Sequence, residues 1–117
     1  LHGLPYTVYT RHTRTSSYID DTVRTLANIV ENFKPGEVYN VAGNELHDMK
    51  RVSDIILDYL GKGDGLVDYR DVEEATALEK KVGVAKAIRD LGHQSTVVLE
   101  EGIPRTINWQ KGVYGCG

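Results

Sequence analysis

Cysteine, methionine, phenylalanine and tryptophan each occur once in the 117 residues. With Cys116 alone, an intrachain disulfide is impossible and a thiolate metal cluster implausible, which fits a reducing compartment such as the cytoplasm. No apolar run approaches the roughly 20 residues of a membrane-spanning helix. The opening Leu1-His2-Gly3-Leu4-Pro5 lacks the charged and apolar regions of a secretory leader, and beginning on Leu rather than Met reads as a processed or partial chain. Excess positive charge is missing too. The 14 Lys and Arg are scattered among 17 Asp and Glu, for a net charge of -3, which argues against nucleic acid as a partner. The four histidines, His2, His12, His47 and His93, show no metal-ligand spacing.

What is present is ordinary for one small domain: 40% hydrophobic and 26% charged residues. Residues 4–9 are expected to form a strand, with Pro5 at its start, and 10–17 a polar loop. A helix is expected from Asp20 or Asp21, either of which can cap its first turn, to a stop at Lys34-Pro35-Gly36. Val23, Leu26, Ala27, Ile29 and Val30 would be its core face. Glu37 to Gly43 reads as the clearest strand, apolar enough for burial on both faces. A second helix follows over 49–60, closed by Gly61, and then an edge strand over 66–70. A third helix is expected over 85–91, stopped by Gly92, and a last one over 99–114, with Ile103, Ile107 and Trp109 facing a core. Alternating strands and helices give an α/β class: a small sheet of short strands with about four helices, one domain over 1–117.

The densest polar cluster is Arg14-Thr15-Ser16-Ser17-Tyr18-Ile19-Asp20-Asp21. Arg14 heads it, and its planar guanidinium suits an anionic ligand such as a diphosphate; the bland alternative is a surface pair with Asp20 or Asp21. Arg11 and His12 read as solvated loop residues, and Tyr18 as a packing residue. Ser16 and Ser17 lie near His12 in sequence, but no Gly-x-Ser-x-Gly elbow surrounds them, which argues against a hydrolase triad.

Several segments together resemble the C-terminal, substrate-binding part of an extended short-chain dehydrogenase/reductase, the Rossmann-like family that includes NAD-dependent nucleotide-sugar epimerases and 4,6-dehydratases. The segment Arg14 to Asp21 matches that family's Arg-Asp-aromatic-x-Tyr-Val-Asp/Glu-Asp, and Gly36 to Gly43 its Gly-x-Val-Tyr-Asn-aliphatic-Gly/Ala-Gly. Lys86 to His93, Leu99 to Ile103 and Thr106 to Trp109 follow in the family's order. Departures are Thr15 for Asp, Gly83 where Asp is common, and His93 for Trp. The resemblance implies that Arg14 contacts the diphosphate of a nucleotide-diphosphate sugar, that Arg70 is a second such contact, and that Asn40 lies near the nicotinamide side. It implies NAD or NADP in a complete enzyme, with none expected for this chain alone. The family's Gly-x-x-Gly-x-x-Gly turn and its Tyr-x-x-x-Lys pair have no counterpart here, so no catalytic residue is assigned and the N-terminal NAD-binding half is expected to be absent. The alternatives are a non-catalytic remnant that covers its apolar faces by homo-oligomerisation, and an unrelated small α/β regulator.

Overall fold

The computed structural model describes residues 1–116. Nine elements follow in order: β1 (Tyr6–Tyr9), β2 (Thr13–Arg14), α1 (Ile19–Asn32), β3 (His47–Asp48), α2 (Met49–Leu60), β4 (Val67–Arg70), β5 (Glu79–Lys80), α3 (Ala85–Leu91) and α4 (Leu99–Tyr114). The class is α/β, as expected. All four helices fall where their periodicity and stop signals put them. Gly61 and Gly92 close α2 and α3 in the left-handed region, at φ 63° and 62°. Asp48 caps α2 by accepting from the Arg51 amide at 2.7 Å.

The short strands form two small sheets rather than one. β1 pairs in parallel with β4, Tyr6 opposite Val67 through Tyr9 opposite Arg70. The second sheet runs β3-β2-β5, antiparallel on one side of β2 and parallel on the other. Helix α2 lies against β1, where the Tyr6 hydroxyl meets Ser53 Oγ at 2.9 Å, and packs with α4, where the Tyr59 hydroxyl donates to Asn108 Oδ1 at 2.9 Å.

The expected strand over 37–43 does not form. A strand exists only through a neighbour, and among the described residues none of the backbone groups of 38–43 bonds to another backbone group. Val38 is 80% exposed, while Ala42 and Gly43 are buried at the far end.

Helix α1 is turned the opposite way from its expected orientation. Its buried residues are Asp21 and Thr25, and Val23, Leu26 and Val30 stand exposed. Ile19 and Phe33 extend that row, giving a continuous apolar stripe at steps of four and three residues. The polar side holds the helix in place. The Thr25 hydroxyl lies 2.7 Å from His93 Nδ1, His93 Nε2 donates to the Ala42 carbonyl at 2.8 Å, and Asn28 donates to the Leu91 carbonyl at 2.9 Å. His93, at the position where the family resemblance expects Trp, thus ties α1 to the 37–43 segment.

Neither Asp20 nor Asp21 caps α1. Tyr18 is the N-cap residue, without a side-chain cap bond, and the Asp21 carboxylate points across to the entry of α4. Trp109 is also misplaced by periodicity: Ile107 is buried, but Trp109 is 64% exposed. The molecule is a slab of 49 × 35 × 19 Å with a radius of gyration of 16.6 Å, against about 13 Å for a compact chain of this length. Its accessible surface is 7739 Å², where about 6,300 Å² is usual for this mass.

Candidate functional site

The three-stranded sheet places His47, Arg14 and Lys80 in one cross-strand row, Arg14 opposite His47 on one side and Lys80 on the other. Residues in such a row share a face. The sheet is too short to be recognised by alternation, since each strand contributes two residues.

Arg14 is half-buried and, among the described residues, has no carboxylate within ion-pairing distance. Its Nη1 donates to the carbonyls of Thr13, at 2.7 Å, and Leu78, at 3.2 Å. Its Nη2 lies 3.3 Å from His12 Nδ1. That last approach is not a good bond. His12 Nε2 accepts from the Glu73 amide at 3.0 Å, so a neutral ring carries its proton on Nδ1 and presents a donor to a donor. Arg14 therefore keeps donors to give away. The bland alternative, pairing with Asp20 or Asp21, does not occur: Asp21 is 0% exposed and engaged elsewhere.

Arg70 sits at the end of β4 beside Tyr9, with Nε donating to Asp68 at 2.8 Å. Its carbonyl takes the Thr10 amide at 2.8 Å, so it flanks the loop that leads to Arg14 but lies in the other sheet. Asn40 is exposed within the unpaired 37–43 segment. The structure does not bring Arg14, Arg70 and Asn40 into one cluster. It brings Arg14 to His12, His47 and Lys80, none of which sequence spacing singles out for the site, because strand pairing across 33 and 66 residues carries no local signal.

Beside this row a cavity of about 350 Å³ opens between α2 and α4. Ser16, Asn44 and His47 are among its polar lining residues, and Met49, Val52, Ile56, Leu99, Ile103 and Ile107 are among its apolar walls. At its rim His47 Nε2 lies 2.8 Å from Ser16 Oγ. Tyr18 packs on α4, where any Cβ at Gly102 would come within 3.0 Å of the Tyr18 ring, and the Arg105 guanidinium stands 5.7 Å from that ring. The site's far wall is fixed by Asp21, which accepts from the Thr96 amide at 2.8 Å, the Thr96 hydroxyl at 2.6 Å and the Val97 amide at 3.0 Å. Burial would push this carboxyl up; the Thr96 hydroxyl, the two amides and Arg24 outweigh it and hold the group below the usual carboxylate value. Arg51 clamps the mouth, joining Glu45 to Glu100, whose carboxyl it lowers. Among the described residues there is no His, Cys, Asp and Glu cluster that could hold a metal ion. Among the described residues no helix is long and apolar enough to cross a membrane.

No family model matches the chain. It is 32% identical over 103 residues to dTDP-glucose 4,6-dehydratase of Escherichia coli, an alignment covering 79% of this chain and 28% of that protein. Among solved structures, dTDP-glucose 4,6-dehydratase from Streptomyces venezuelae with NAD bound superposes with a TM-score of 0.84 at 24% identity, covering 97% of this chain and 36% of that one. UDP-glucuronic acid 4-epimerase from Bacillus cereus, in complex with UDP-glucuronic acid and NAD, gives 0.82 at 24% identity, with 94% and 36% covered. The chain thus spans about a third of the length of the proteins it matches. Its motifs, their order and this likeness agree: over most of its length the chain resembles a part of the extended short-chain dehydrogenase/reductase enzymes.

Proposed function

We propose that this chain is the substrate-binding portion of an NAD-dependent nucleotide-sugar epimerase or 4,6-dehydratase and does not turn over substrate alone. The observation that carries the reading is Arg14: a half-buried guanidinium with spare donors and no acidic partner among the described residues, in one row with Lys80. A nucleotide-diphosphate sugar supplies the missing anion. Arg14 is the principal contact, Lys80 the cation beside it, and Arg70, held by Asp68, a weaker flank. The chain's own residues do not fit a dinucleotide. There is no glycine-rich turn, and Asn40 is the one residue assigned to the cofactor side, so NAD or NADP belongs to the complete enzyme. The unpaired 38–43 backbone and the α1 stripe are the surfaces on which the rest of such an enzyme would pack. The single cysteine fits the cytoplasm as its location.

Titration calorimetry with dTDP-, UDP-, GDP- and CDP-sugars tests this. One of them should bind, and Arg14→Ala should weaken that binding about 10- to 100-fold, as expected for a lost charge-assisted contact. Lys80→Ala should cost less, and Arg70→Ala least. No binding of any at millimolar concentration rejects retained substrate recognition.

A second reading is favoured by the surplus of roughly 1,400 Å² of accessible surface, more than the ~800 Å² that each partner contributes to an ordinary interface. On it the chain is a self-associating remnant whose α1 stripe packs on a second copy. Light scattering across a concentration series should then show dimers that Leu26→Glu disperses. A monomer at every concentration removes this reading.

A further inference from the structure

We propose that Ser16 and His47 form a nucleophile and general-base pair that opens carboxylic esters whose acyl group fits the cavity between α2 and α4. The hydrogen bonds fix the ring's state. His47 Nε2 receives the Ser16 amide at 3.2 Å, so it bears a lone pair rather than a proton. Nδ1 then carries the proton and lies 3.3 Å from the Asp48 carbonyl, which orients the ring as a carboxylate does elsewhere. The Ser16 hydroxyl, 2.8 Å from Nε2, has its proton aimed at that base. His47 is only 4% exposed, whereas Ser16 is exposed at the cavity mouth, so the base is shielded and the nucleophile reachable. A strand-to-helix elbow is one way to present a serine. Here a crossing of backbones does it: Gly43 approaches so closely that a Cβ there would lie 1.9 Å from the Ser16 carbonyl oxygen.

The step balances within the pair. Ser16 Oγ attacks the carbonyl carbon as its proton passes to His47 Nε2. The carbon–oxygen bond to the alcohol breaks, the electron pair leaves with that oxygen, and the Nε2 proton goes to it. Water, deprotonated by the same nitrogen, then frees the acid and returns Ser16 to its hydroxyl form. The walls of Met49, Ile103 and Ile107 select a short apolar acyl chain.

The full chain is treated with a fluorophosphonate probe, and adducts are located by peptide mass; p-nitrophenyl butyrate hydrolysis is followed in parallel. One adduct is expected, on Ser16, absent in Ser16→Ala and retained in Ser17→Ala, whose Ser17 hydroxyl serves Thr22 instead. His47→Gln should slow labelling about 10²- to 10⁴-fold. Circular dichroism shows whether that variant keeps its helices; if it does not, rescue of labelling in a His47→Ala chain by added imidazole replaces it as the arm. No adduct on the folded parent, an adduct elsewhere, or labelling indifferent to residue 47 in a folded variant overturns the pair. Since neither readout involves a nucleotide, failure here leaves the substrate-binding reading standing, and the reverse holds.

Discussion

Asp21→Ala is expected to destabilise the chain by about 3–5 kcal/mol, much of the stability of a domain this size. The Asp21 carboxylate is fully buried and receives the Thr96 amide, the Thr96 hydroxyl and the Val97 amide. Alanine leaves these donors buried with no acceptor, which costs more than the lost bonds themselves. The urea midpoint should drop sharply, and a shift of less than about 1 kcal/mol would mean water replaces the carboxylate freely. Acid should mimic the substitution. The folded-state pKa of Asp21 is depressed, so its contribution is present above the ordinary value of 3.8 and is lost as pH falls below it. Stability should therefore decline on acidification below that value, and less steeply in Asp21→Ala. A residual slope is expected because Asp90 is also held low, chiefly by Arg89, with burial opposing and Lys34 and Tyr39 assisting.

Gly43→Ala is the second large effect, expected at ~3 kcal/mol or more. A Cβ at 43 would sit 1.9 Å from the carbonyl oxygen of Ser16 and 2.8 Å from its carbonyl carbon, and both are backbone atoms that no rotamer change can clear. Neither side is free to withdraw. The Ser16 amide is tied to His47, and the Ala42 carbonyl to His93. The substitution should lower the thermal midpoint by more than about 10 °C and spread Ser16 from His47, slowing fluorophosphonate labelling. An unchanged melt would show that the two backbones part at little cost.

Helices were legible in the sequence because they carried local signals: periodicity, and Gly61 and Gly92 as stops. The family was legible because its motifs keep their order. What periodicity could not tell was which side of an amphipathic helix faces inward here. In α1 the stripe meets the usual rule for a core face, yet Thr25, Asn28 and Asp21 make the internal contacts. The 37–43 segment has strand composition and no strand beside it. The row of His47, Arg14 and Lys80 was invisible for a different reason: two-residue strands have no pattern, so its members become neighbours only through pairing. Arg14 was singled out by its motif, and the structure leaves it without a carboxylate partner among the described residues. Ser16 was noticed near His12 in sequence and set aside; the histidine its hydroxyl meets in space is His47.

The inverted mounting of α1 bears on how it could be met by another surface. Apolar contacts are non-directional and tolerate a helix rolling by tens of degrees about its axis. Bonds from Asp21, Thr25 and Asn28 to fixed partners do not, so they set the azimuth of the helix. The stripe of Ile19, Val23, Leu26, Val30 and Phe33 is thereby aimed before anything touches it. A surface docking there would meet a pre-oriented edge and lose little rotational freedom of the helix on contact.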